Sequence, residues 1–486
     1  MSDNNLPAGF LSGMQSLLGD SFPRFAEAMQ ETPATAIRLN LRKNDAQPRW
    51  SGMTPVGWCD SGFYLEERPL FTLDPLLHAG AYYVQDPSSM IHQQIVTRIL
   101  QLPDMQERLT HADEMPLRVL DLCAAPGGKS TAIINALPDR SLMVSNEIDR
   151  QRCGILRENL EKWGYPEIII SNSDAASLGK AGNIFDIIAV DAPCSGEGMM
   201  RKDADALTQW TPGLTESCAR LQREILSDIL PALRPGGYLI YSTCTFNTLE
   251  NEENVKWLME QWGMSAVALP MTGTEPVLPS LDPDVPALRF MPHATRGEGL
   301  FAAILRMPGD ELPAALPKQG DRKMAKGKKG RNSTPAKGKT DKSRQTENPG
   351  EWLDTPYSPL IHEYGDKAFA LSPQLAALDF LLRKNGVRVV EAGVSVAEIK
   401  GDLRLPAPEL PLSLAFRKDA FPSVELSRDE ALAYLRREPL TLPPSAPRGF
   451  ITVNYLGLPL GLLKNIGSRT NNLYPQNWRI RTRRTE

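Results

Sequence analysis

Between residues 117 and 305 the chain alternates short apolar runs with longer stretches of helical spacing, and few folds accept that order. Residues 117–122, 141–146, 167–171, 185–190, 238–242 and 301–305 read as strands, with 301–305 expected to be the last of the sheet. Residues 129–137, 150–163, 216–233 and 250–261 carry apolar side chains at the three- and four-residue spacing of helices. The helix over 216–233 is expected to stop at Arg234-Pro235-Gly236-Gly237, a combination that ends helices. Strands that alternate with helices require crossover connections, so the expected fold class is α/β with a doubly wound parallel sheet. In such a sheet ligands bind beyond the carboxyl ends of the strands.

The polar residues of this segment gather at those ends. Asp121-Leu122-Cys123-Ala124-Ala125-Pro126-Gly127-Gly128-Lys129 joins the first strand to its helix, and its two glycines let backbone approach a ligand closely. The loop lacks the Gly-x-Gly-x-x-Gly spacing of dinucleotide binders, and Gly128-Lys129-Ser130 lacks the earlier glycine of a P-loop. Glu147 ends the second strand, nineteen residues beyond Gly128, where an acid binds ribose hydroxyls in folds of this kind. Asp174 follows the third strand, placed to accept from an exocyclic amine, and Asp191 ends the fourth. One acid after a strand is usually a turn former or a helix cap. Acids at three successive strand ends, with a glycine-rich first loop, point instead to an adenosyl ligand without phosphates. S-adenosylmethionine fits better than ATP or NAD.

Two cysteines occupy the same level. Cys194 lies in Asp191-Ala192-Pro193-Cys194-Ser195-Gly196 and Cys244, fifty residues on, in Tyr241-Ser242-Thr243-Cys244-Thr245. Cys59, Cys123, Cys153 and Cys218 are read as core thiols. A thiol adding to C6 of cytosine would make C5 a carbon nucleophile toward a sulfonium methyl. A free thiol of pKa about 8.5 is already a few per cent thiolate at neutral pH, so full ionisation recovers only about 2 kcal/mol. Enzymes supply ~8 kcal/mol or more, so most activation must come from the ring side, where Asp191 is placed to polarise N3 and N4.

The flanks carry other signals. Residues 36–42 alternate as a half-buried strand whose outward set, Arg38, Asn40 and Arg42, could contact phosphates. Residues 318–344 hold eleven Lys/Arg against two acids, a net +9 in a chain of net −4, and 309–350 is read as a flexible linker. Residues 449–463 read as a hairpin of a small β-barrel. The expected units are 1–110, 111–308, the linker 309–350, and 351–486. No apolar run reaches the roughly 18 residues of a membrane span. The start of the chain shows no secretory signal and the six cysteines form no Cys-x-x-Cys pair, so a cytoplasmic protein without metal is expected.

Asp-Ala-Pro-Cys-Ser-Gly and Ser-Thr-Cys-Thr at this separation, behind Ala-Pro-Gly-Gly-Lys and followed by Glu250-Asn251-Glu252, together resemble the Nol1/Nop2/Sun family of RNA cytosine-C5 methyltransferases. The resemblance implies a Rossmann-like methyltransferase sheet, an N-terminal α+β RNA-binding subdomain and a C-terminal PUA-like small β-barrel domain. It implies that Cys244 is the nucleophile, that Cys194 assists release, and that Cys123, Ala124, Ala125, Pro126, Gly127, Gly128, Lys129, Glu147, Asp174 and Asp191 line an S-adenosylmethionine site. Tyr83 to Ser89 resembles the family segment beside the cofactor, and Gly198 to Lys202 its RNA-facing loop. The whole-chain layout implies 16S rRNA or the small ribosomal subunit as partner, in the decoding region, with a monomeric enzyme. The alternatives are tRNA as substrate, or a non-catalytic RNA-binding assembly factor.

Overall fold

The alternating segment folds into a ten-stranded sheet in a computed structural model that describes residues 6–43, 50–271, 273, 276–317, 348–357, 360–443 and 445–482. Its strands are β1 Arg118–Asp121, β2 Leu142–Asn146, β3 Ile168–Ser171, β4 Phe185–Asp191 and β5 Leu233–Thr243. They continue as β6 Ser265–Ala266, β7 Leu278–Pro279, β8 Leu288–Phe290, β9 Leu300–Arg306 and β10 Val389–Ala392. The order is β7-β8-β9-β5-β4-β1-β2-β3-β10, with β6 on β9. Strands β1 to β5 pair in parallel. The order reverses at β1, between β2 and β4, which makes the crevice there the ligand position of a doubly wound sheet. Successive side chains feed opposite faces. Val119, Met143, Ile187 and Ile240 enter one core, and Leu120, Val144, Ile188 and Leu239 the other.

Three expectations about elements are corrected. Arg234-Pro235-Gly236-Gly237 does not stop a helix. The helix Pro212–Ile229 ends earlier, and the four residues form a bulge inside β5, where Arg234 Nε donates to the buried Asp186 Oδ1 at 2.8 Å. Residues 301–305 are not the last strand, because β10 pairs antiparallel with β3. The helix Pro373–Lys384 brings Leu375, Leu378 and Leu382 into the same core as Leu120. Residues 314 and 118 also touch, the Arg118 guanidinium donating to Ala314 O at 2.7 Å, so the start of the expected linker lies along the sheet. The Lys-rich segment 318–344 lies outside the described residues.

The N-terminal part carries helices Ala8–Leu18 and Phe22–Ala28 and an antiparallel sheet of Thr54–Val56, Cys59–Leu65, Thr35–Leu39 and Tyr82–Val84. The third correction lies here. Arg38 and Asn40 do not face outward; they are 0% and 1% exposed. Arg38 donates to Gln85 Oε1 at 2.9 Å, to Thr131 Oγ1 and to the carbonyls of Gly128 and Thr131, and its guanidinium lies 4.9 Å from the Trp163 ring. The periodicity was right and the solvent side wrong, because the helix after β1 packs over that face. Arg42 is tied to Asp139 and to Leu137 O.

The C-terminal part holds two four-stranded sheets. One orders Ile361–Tyr364, Lys367–Ala370, Val394–Lys400 and Leu403–Pro406; the other orders Ser423–Glu425, Gly449–Tyr455, Leu458–Asn465 and Thr470–Asn472. The expected hairpin is the centre of the second. Among the described residues no helix is long and apolar enough to cross a membrane.

Candidate active site

Strands β4 and β5 pair in register at Asp191 and Ser242, so the loops that follow leave the sheet side by side. Cys194 Sγ and Cys244 Sγ are 3.3 Å apart. Ala192 N–H donates to Ser242 O at 2.9 Å and Gly198 N–H to Cys244 O at 2.8 Å, tying the two loops before and after the thiols. The contact with Cys244, together with burial, holds the Cys194 thiol well above its usual range, so Cys194 keeps its proton.

Two buried carboxylates fix this geometry. Glu250 accepts from Ser195 N at 3.0 Å, Ser195 Oγ at 2.5 Å, Gln222 Nε2 at 2.8 Å and Asn247 Nδ2 at 2.8 Å. Burial raises its pKa in spite of those donors. Gln222 also donates to Pro193 O at 3.0 Å. Glu197 accepts from Phe246 N at 2.7 Å, Asn247 N at 3.0 Å and Trp210 Nε1 at 3.1 Å. Sequence reasoning missed Glu197 and Gln222. The signal for Glu197 was an acid three residues past a cysteine in a loop otherwise made of small residues.

Asp191 lies under the thiols and is not isolated. Lys129 Nζ donates to its Oδ2 at 2.6 Å and Ser242 Oγ to its Oδ1 at 2.9 Å. Burial works to lower the Lys129 pKa, but Asp191 outweighs it and the net shift is upward; the charge of Cys244 adds in the same direction. Lys129 therefore remains an ammonium ion facing both groups. His92, also missed, places Nε2 3.2 Å from Ser242 Oγ. Burial and then Lys129 lower its pKa to about 4, which keeps the ring neutral.

A cleft beside these groups is lined by Cys123 to Pro126, Gly128, Lys129, Asp191 and the segment Tyr83 to Asp86. Gly127 shapes it with a φ of 113°, a value that suits glycine alone. Glu147 ends β2 and is 2% exposed. Its Oε1 accepts from Asp149 N at 2.9 Å, whereas Oε2 is buried without a hydrogen-bond partner. Arg152 Nη1 lies 3.6 Å from Oε2, beyond hydrogen-bond reach, so that oxygen can still accept from a ribose hydroxyl. Asp121 Oδ1 is also buried without a partner, and burial pushes its pKa up to about 7. Asp174 stands apart from the cleft lining: it is exposed and caps the short helix Ala175–Gly179, accepting from Ser177 N at 2.7 Å. Cys123 is not a core thiol: it is half-buried and lines the cleft, and burial raises its pKa. These residues fit an adenosyl ligand held without phosphate contacts. Among the described residues, no group of three or more His, Cys, Asp or Glu is arranged to hold a metal ion.

Comparison with known proteins places this geometry. Family models described as 16S rRNA methyltransferase RsmB/F, the N-terminal domain of 16S rRNA methyltransferase RsmF, and the methyltransferase RsmF PUA domain match residues 109–306, 6–87 and 421–480. Ribosomal RNA small subunit methyltransferase F of Enterobacter sp. (strain 638) is 32% identical over 98% of this chain and 97% of its own length. The chain belongs to the ribosomal RNA small subunit methyltransferase F family. Its counterpart from Klebsiella pneumoniae (strain 342) is 31% identical over 98% and 97% of the two chains. The solved structure of NSun6 from Pyrococcus horikoshii with SFG shares the fold, with a TM-score of 0.50 and 19% identity over 62% of this chain and 98% of that one. Like its family, this methyltransferase uses S-adenosylmethionine, and the β1 loop with Glu147 is the part of the chain that fits it.

Proposed function

We propose that this methyltransferase F family member methylates C5 of cytosine in 16S rRNA, in the decoding region of the small subunit, through a covalent bond between Cys244 Sγ and C6. The observation that carries the reading is the pair of thiols 3.3 Å apart above the Lys129–Asp191 ion pair. The target base leaves its stack to reach the sulfur.

The Cys244 thiolate forms the S–C6 bond, and electron density moves to C5 and the ring nitrogens. A carboxylate has about four acceptor sites, and Asp191 uses two on Lys129 and Ser242; the others can hold the exocyclic amine. The Lys129 ammonium provides the positive field as negative charge develops on the ring. S-adenosylmethionine, when bound, supplies the electrophilic methyl group that C5 takes. Water takes the C5 proton, the C5–H electron pair restores the C5–C6 double bond, and the S–C6 bond breaks with its pair leaving on Cys244 sulfur. Cys194, held protonated beside the leaving sulfur, assists that last step.

Cys194→Ala should accumulate a protein–RNA adduct that survives denaturing electrophoresis, and Cys244→Ala should abolish both adduct and turnover. Methylation by Cys244→Ala protein would sink the assignment. Bisulfite mapping of 16S rRNA and tRNA with and without the protein tests the substrate.

A further inference from the structure

On the far side of the loop that follows Cys194 runs an open groove whose lining includes Glu31, Thr32, Arg201, His293 and Arg296. One wall is residues 292–296, and the next two residues, 297 and 298, bridge the cofactor cleft and the loop after Cys194. Glu298 N–H donates to Asp86 Oδ1 at 2.7 Å, and Arg201 Nη1 donates to Gly297 O at 2.9 Å. A side chain at Gly198 would meet the carbonyls of both Cys244 and Glu298 at 2.9 Å, so the segment that continues the groove's wall packs against the loop after Cys194.

Its charge is positive and held in place. Arg201 Nε and Nη2 donate to Glu31 O at 3.2 and 3.1 Å. The Arg296 guanidinium lies 3.6 Å from the Tyr64 ring centroid. His293 packs edge-on against Phe25 at 6.0 Å and its Nδ1 is buried without a hydrogen-bond partner; the exposed Arg24 next to Phe25 adds a third guanidinium. Against these stand the exposed Glu31 carboxylate and Asp86, whose charges both act on Arg201, while Glu298 is paired with Lys202 at 2.6 Å. In a chain of net charge −4, three arginines gathered around one groove are a local feature, not a reflection of composition.

We propose that this groove binds the phosphodiester backbone of the substrate RNA beside the target cytosine, with Arg24, Arg201 and Arg296 as the phosphate contacts. The inference rests on the RNA methyltransferase reading. Guanidinium groups pre-positioned by backbone acceptors and an aromatic face suit a bidentate oxyanion. Their place next to Cys244 would hold the strand while one base is turned inward.

The test uses the full-length protein, Arg24→Glu and Arg296→Glu, and a labelled single-stranded, cytosine-containing oligoribonucleotide, titrated by fluorescence anisotropy across a KCl series. Both side chains are exposed, and thermal melts check that each variant folds. Each variant should weaken binding about tenfold and lower the slope of log K against log [salt] by about 0.7, the value for one lost single-strand phosphate contact. Parental affinity, or a loss of affinity with unchanged slope, overturns the proposal. The Cys194→Ala adduct is scored separately: RNA held by the groove with no adduct formed would fail the cytosine reading and leave the groove standing as an RNA site.

Discussion

Cys194 and Cys244 meet because two parallel strands end in register, and at the residue scale this was legible from two small-residue loops behind two apolar runs. What surrounds them was not. The ion pair between Lys129 and Asp191 joins the first turn of the helix Gly128–Ala136 to the last residue of β4, and no local pattern marks it. Arg38 shows the converse error: alternation placed it on the polar side of a strand, but polar periodicity cannot tell water from a buried set of carbonyl acceptors. Lys129→Met tests the pair. It removes a charged hydrogen bond of roughly 1.5–3 kcal/mol, which converts to about a 10- to 150-fold fall in the rate of methyl transfer at saturating RNA and S-adenosylmethionine. A rate within threefold of the parent would show that Lys129 only solvates Asp191.

At the scale of elements, the regular part of the sheet was readable because each strand and helix carries its own period, and the irregular part was misread where pairing overrides local preference. Arg234-Pro235-Gly236-Gly237 looks like a helix stop. In the fold, Leu233 pairs with Phe185 and Tyr238 with Ile187, so the four residues bulge out between two pairs of one ladder. The bulge is also held on its other side: Gly236 N–H donates to Met307 O at 3.1 Å and Met307 N–H to Gly237 O at 2.9 Å. Gly237 has no room for a side chain, since a Cβ there would lie 2.7 Å from Leu233 Cδ1, 2.9 Å from Arg234 O and 3.0 Å from Asp186 O. Gly237→Ala should therefore destabilise the protein by about 1–3 kcal/mol, read as a lower urea midpoint with an unchanged slope. A midpoint equal to the parent's would mean that the bulge relaxes without cost.

At the scale of the whole molecule, the C-terminal half shares the methyltransferase sheet instead of hanging from it. That was hidden, because a four-residue run with no crossover helix gives no hint that Val389–Ala392 will pair with β3. The junction carries a carboxylate cluster. Arg157 Nη2 is 2.8 Å from Glu161 Oε1 and Arg157 Nε 2.8 Å from Glu391 Oε2, with Glu409 and Lys367 also facing the group. Burial, then the charges of Glu391 and Glu409, push Glu161 well above the ordinary 4.5 against the pull of Arg157. The native state thus binds a proton that the unfolded chain releases near 4.5, and the stability this group contributes below that value is lost as pH rises through the raised native pKa. Glu161→Gln keeps a polar partner for Arg157 and removes the titration. The variant should melt close to the parent near pH 5 and above it near pH 8, by about 1 °C if the relief is ~1 kcal/mol in a chain of this length. An equal difference in melting temperature at both pH values would show that Glu161 is not the titrating group and leave Glu391, whose pKa burial also raises, as the carrier of the proton.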